Sequence, residues 1–154
     1  MKRYQSLILF FLLLVPNLCA AEDFGTRQEA IDMVRRVKAL IAREGLDAAI
    51  QAVNSQQPEF KIKDLYPFLY TLDGVSVAHG ANVKMVGKSW ITTKDQDGNY
   101  LIQTMVATAT SREGSGWVKY KWPHPISHKI QDKSAYVEKF GENYFVGVGI
   151  YSGL

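Results

Sequence analysis

Apolar residues recur at helical spacing from Ala30 through Met33, Val34, Val37, Leu40 and Ile41, the signature of a helix with one buried face. Thr26 and Glu29 stand three apart at its start and make a capping box. Gly45 is its natural stop. That is a helix of about five turns. Arg27, Arg35, Arg36, Lys38 and Arg43 fall mostly off the apolar stripe and read as its solvated face. A second, short helix is predicted from Asp47 through Val53, followed by the polar break Asn54 to Pro58.

From residue 65 the period changes to two. Leu65 to Leu72 reads as a strand with Tyr66, Phe68 and Tyr70 on one side and Leu65 and Leu69 on the other. Pro67 inside it predicts a bulge or an unpaired start. Asp73-Gly74 is a hairpin turn, and Val75, Val77 and His79 return as a second strand ended by Gly80. Residues 81–99 read as a structured loop closing on the turn Asp95-Gln96-Asp97-Gly98. Asp97 or Asn99 is expected to cap the helix that carries Ile102, Met105, Val106 and Ala109. Three more strands follow: a glycine-bounded aromatic run ended by Trp122-Pro123-His124-Pro125, then Ser134 to Phe140, then Tyr144 to Tyr151. The fold class is therefore α/β (α+β): an antiparallel meander covered by what precedes it.

The 154 residues make one domain's worth of chain. Its first residues do not fit that domain. Lys2 and Arg3, the apolar run Leu7 to Val15, Pro16 and the small residues Ala20 and Ala21 form the three regions of a secretory signal peptide. The apolar run is shorter than the ~20 residues a bilayer span needs. The expected division is a signal peptide over 1–21 and a single domain over 22–154, with no membrane insertion once the peptide is removed. Cleavage takes away Lys2 and Arg3, leaving 16 basic against 15 acidic residues, net +1. That gives no support for a nucleic-acid partner, which needs a clustered basic face. Cys19, the only cysteine, leaves as well. The mature protein then has no disulfide, thiol nucleophile or thiolate ligand.

Several constellations invite chemistry and fall short of it. Asp95-Gln96-Asp97-Gly98 resembles a calcium loop, but the register would put Thr93 and Thr104 where carboxylates are required. His124, His128 and His79 lack any cysteine company, and prolines fix the backbone around His124, so loop histidines are expected and no metal. Ser115 lacks the elbow of a serine nucleophile. No cofactor and no enzymatic activity are expected. What remains is an aromatic and basic set: Tyr66, Phe68, Tyr70, His79, Trp90, Trp117, Tyr120, Lys133 and Tyr136. Phe68 and Trp122 are expected in the core, and Lys119 and Lys121 on the solvated side or at a rim. Tyrosine hydroxyls need partners when buried, and several together furnish the placed donors of a small-molecule pocket. A lysine ammonium beside them suits a carboxylate.

The ordered set Asp64-Leu65-Tyr66, Leu72-Asp73-Gly74, Ala78-His79-Gly80, Val86-Gly87-Lys88, Gly-x-Gly-Trp-Val-x-Tyr-x-Trp-Pro-x-Pro from Gly114, Lys133-x-x-Tyr136-Val137 and Val146-Gly-Val-Gly-Ile-Tyr151 resembles the single-Cache family of PAS-like extracytoplasmic sensor domains. The resemblance implies a five-stranded antiparallel sheet in the order 2-1-5-4-3, with the long N-terminal helix packed on it. It also implies a small ligand held on the sheet. Residue by residue, the family's site falls on Tyr66, His79, Tyr120, Lys133 and Tyr136, with Trp117 as a further ligand-binding candidate. The function implied is a periplasmic Cache domain binding a small organic acid or similar metabolite. Because the chain stops soon after the last strand, signalling would pass to an envelope receptor or kinase as partner. The alternative is an envelope protein-interaction module with no small-molecule ligand.

Overall fold

The computed structural model describes residues 24–151. The predicted signal peptide, residues 1–21 with Cys19, lies outside them. Helix α1 spans Arg27–Glu44 and starts as the capping box requires: the Glu29 amide donates to Thr26 Oγ1, and the Thr26 amide donates to the Glu29 carboxylate. It stops at Gly45, whose φ of +91° glycine adopts without strain. Helix α2, Leu46–Asn54, follows at once.

Five strands form one antiparallel sheet: β1 Pro67–Thr71, β2 Ser76–His79, β3 Ser115–Pro123, β4 Ile130–Phe140 and β5 Tyr144–Tyr151, in the order β2-β1-β5-β4-β3. Helix α3, Leu101–Ala109, packs on one face of the sheet. Helices α1 and α2 pack on the other, over Leu65, Leu69, Val146 and Val148. The Lys38–Glu138 ion pair and the Arg27 guanidinium, 3.9 Å above the Trp117 ring, fasten α1 to β4 and β3.

Several boundaries differ from the sequence expectation, most by a single residue. Strand β1 begins at Pro67 rather than Leu65, because Leu65 closes a tight turn with Ile62. The residues before Pro67 are unpaired in the sheet, as one of the two alternatives for Pro67 requires, and a separate irregularity lies between Leu69 and Tyr70, where the register with β2 shifts. Strand β4 begins four residues before Ser134, since Ile130 to Lys133 pair with Tyr120 to Pro123. The α3 N-cap is Tyr100 without a side-chain cap, not Asp97 or Asn99. Asp95 organises the turn, accepting from the amides of Asp97 (3.0 Å) and Asn99 (2.8 Å).

Candidate functional site

Strand alternation decides which side chains share the α3 face. Register sets Tyr120 of β3, Lys133 of β4 and Tyr151 of β5 side by side across three strands. Tyr66 leads into β1, and His79 stands opposite Phe68 on β2. Together with Phe68, Tyr70, Trp122 and three α3 residues, Tyr66, His79, Tyr120 and Lys133 surround a cavity of about 10 Å³, room for about one water molecule.

Lys133 is only 1 % exposed. Its Nζ donates to the Tyr66 hydroxyl at 2.6 Å and to the Tyr151 hydroxyl at 3.2 Å. The same amine lies 3.9 Å from the Tyr66 ring centre and 4.5 Å from that of Tyr151, where ring quadrupoles favour a cation. The Tyr151 hydroxyl spends its proton on the Pro123 carbonyl at 2.8 Å, so the Tyr66 hydroxyl, 3.1 Å away, donates to Tyr151. An ammonium has three protons to give. Two are placed on hydroxyls, which leaves one for a bound acceptor.

Burial pushes the Lys133 amine well below the ordinary lysine range, with the Asp64 carboxylate acting in the opposite direction. Lys133 therefore lacks a direct counter-ion among the described residues; its contacts are neutral hydroxyls. Asp64 is itself buried, takes the Gly25 amide on Oδ1, and leaves Oδ2 without a protein partner. Burial first, and then the nearby Lys133 charge, hold His79 neutral, its pKa lowered to about 3. His79 Nδ1 accepts from the amides of Ala81 (3.3 Å) and Asn82 (3.0 Å), so its proton sits on Nε2 as a donor. Burial also pushes Tyr66 up to about 12 and Tyr120 well above the usual phenol range. The site thus surrounds a desolvated amine with neutral side chains, and a small anion with oxygen acceptors would favour the amine's protonated form.

Four of the six residues singled out in the sequence meet here: Tyr66, His79, Tyr120 and Lys133. Trp117 and Tyr136 do not. Each is three residues from a pocket side chain on its own strand, so the period of two turns it to the α1 face, where the two rings pack 5.6 Å apart. Tyr151 was not singled out; its signal was its position at the end of Val-Gly-Val-Gly-Ile-Tyr, in phase with both glycines. Trp90 packs against the α3-face core and donates from Nε1 to the Met85 carbonyl at 3.0 Å. Among the described residues no group of three His, Cys, Asp or Glu side chains could hold a metal ion.

A family model for the Cache domain matches residues 29–153. A sensor histidine kinase of Rhizobium johnstonii is 34% identical over 90 residues, 58% of this chain and 19% of the kinase, so the chain spans about a fifth of that relative's length. Among solved structures, a Cache chemosensory domain studied for carboxylic acid recognition is 29% identical with a TM-score of 0.64, over 82% of this chain and 88% of that one. The periplasmic sensor domain of a chemotaxis protein is 27% identical with the same TM-score, over 82% of this chain and 90% of that one. The family model thus spans the sheet and both helical layers, and the chain belongs to the Cache domain family.

Proposed function

We propose that this domain binds a short carboxylate through Lys133, and that it does so in the periplasm after removal of residues 1–21 as a signal peptide. The observation that carries the reading is Lys133 itself: a fully buried amine with two protons on neutral hydroxyls and one unspent. Burial disfavours the charged form of the amine, and an arriving carboxylate would supply the partner that favours it. Tyr66 and Tyr120 then contribute polar edges, and the neutral His79 a further N–H donor. The relatives support the same chemistry: one is a sensor kinase, and one solved neighbour recognises carboxylic acids. Signal output would pass to an envelope receptor or kinase. No helix among the described residues is long and apolar enough to cross a membrane.

A thermal-shift screen of short carboxylates, amino acids and amines tests this. A ligand at a hundred times its dissociation constant should add about 2.7 kcal/mol of stability. Lys133→Met should abolish the response to acids while leaving the protein folded. If no compound shifts the melting temperature and a tight protein partner is recovered instead, the domain is an envelope interaction module. Mass spectrometry of the exported protein should find Glu22 as its first residue; an N-terminus at Met1 would remove the cleavage.

A further inference from the structure

We propose that the cleft beside the buried cavity holds the far end of the ligand, so that the domain prefers short acids carrying a second oxygen acceptor over simple monocarboxylates. The proposal rests on the carboxylate reading of Lys133. With room for about one water, the cavity leaves the carbon chain of any acid seated on Lys133 to be placed beyond it. The cleft between residues 81–85 and residues 123–128 encloses about 270 Å³ and shares Tyr66, His79 and Trp122 with the cavity as walls.

His124 lines that cleft and is 7 % exposed. Its Nδ1 accepts from the amides of Ile126 (3.3 Å) and Ser127 (3.2 Å), repeating the arrangement of His79. The proton is thus on Nε2, and this buried N–H has no protein partner among the described residues. Buried donors left unpaired are uncommon and costly. The ring is held in place from both sides, edge-on to Tyr151 at 4.7 Å and to Phe24 at 6.0 Å. Tyr151 in turn bonds Lys133, so one tyrosine touches both the imidazole and the buried amine. A metal is excluded from this pair of imidazoles, because both Nδ1 lone pairs are spent on amides and both Nε2 atoms carry protons.

A second cleft also touches Tyr120 and Lys133. Lys121 is paired there with Asp97 and Asp132, Asp95 with the Asn99 and Lys121 amides, and the other cations of its walls, Arg27 and Lys119, are exposed. This cleft offers no comparable free donor.

The test is calorimetric titration with acids matched in carbon count, the diacids malonate, succinate and glutarate against propanoate, butanoate and pentanoate. At the length that spans the two donors, the diacid should bind about tenfold or more tightly, the effect of one added charge-assisted hydrogen bond. His124→Asn keeps a side-chain acceptor for the two loop amides, and His124→Phe keeps the ring contacts. Each should lose the diacid advantage while leaving monoacid affinity within about twofold. Equal affinities at every length, or an advantage that survives in either folded variant, would overturn the proposal while leaving the Lys133 reading intact. Binding of no acid at all would remove both.

Discussion

Gly149 stands beneath the aliphatic stem of Lys133, and any Cβ there would collide with the lysine Cε. Gly147, two residues back on the same face, gives the Phe68 ring its place in the same way. Glycine in a central strand marks such a close approach; here it lets a long side chain lie flat across β5 and deliver its amine to Tyr66 and Tyr151. Gly149→Ala should therefore cost about 1–3 kcal/mol by overpacking and weaken acid binding well beyond that loss of stability. A denaturant midpoint and an acid titration on the same variant measure both, and wild-type affinity would show that the stem does not position the amine. Tyr151→Phe removes the hydroxyl that bonds Pro123 and Lys133, and should lower stability by about 1 kcal/mol. The chemistry of these residues was legible in the sequence, and strand parity carries their sidedness. Counting by two from Lys133 and Tyr120 separates them from Tyr136 and Trp117. The same parity along β5 aligns Tyr151 with the two glycines that make room for it.

Among the elements, β3 is an edge strand of nine residues, and unprotected edges invite pairing with other chains. Asp95 reaches from the loop before α3 and accepts the Lys121 amide at 3.2 Å, while Pro123 has no amide to offer. Burial opposes the Asp95 charge, but bonds from Asn99, Lys121 and Asp97 outweigh it and hold the carboxyl below its ordinary range. Asp95→Ala should loosen this turn, speed hydrogen exchange at the Lys121 amide, and cost about 1–2 kcal/mol, the range for a charge-assisted bond that is partly exposed. Unchanged exchange at Lys121 would show the edge to be protected by something else. The sheet and both helical layers were legible because period, caps and turn residues agree along most of the chain. The exceptions have physical causes. The start of β4 is polar on both faces, since Gln131 and Asp132 pair beside the edge strand, so alternation does not reveal it. The turn before α3 holds two aspartates and an asparagine, any of which could accept from nearby amides, and Asp95 is the one that takes both the local amides and the distant Lys121 amide.

At the scale of the molecule the two sheet faces divide the work. The α1 face is closed by hydrocarbon and aromatic packing, whereas the α3 face buries two titratable groups, His79 and Lys133, against their preference for charge. Both have folded pKa values below their unfolded ones, so both make the free protein bind fewer protons than its unfolded chain. The stability due to neutral His79 is complete above its unfolded value of about 6.5 and is lost as pH falls toward about 3. The stability due to an uncharged Lys133 is complete only above about 10.4 and is lost as pH falls toward its depressed value. A bound carboxylate reverses the second term, because an anion beside the amine favours its protonated form. Acid binding should therefore take up as much as one proton in the pH range between the free and bound values of Lys133, and affinity should weaken as pH rises through that range. Titrations in buffers of different ionisation enthalpy measure the uptake directly as a slope. Lys133→Met cannot show it, and a slope of zero from pH 6 to pH 10 would mean that the amine keeps one protonation state whether or not the acid is bound, leaving its depressed pKa without a part in recognition.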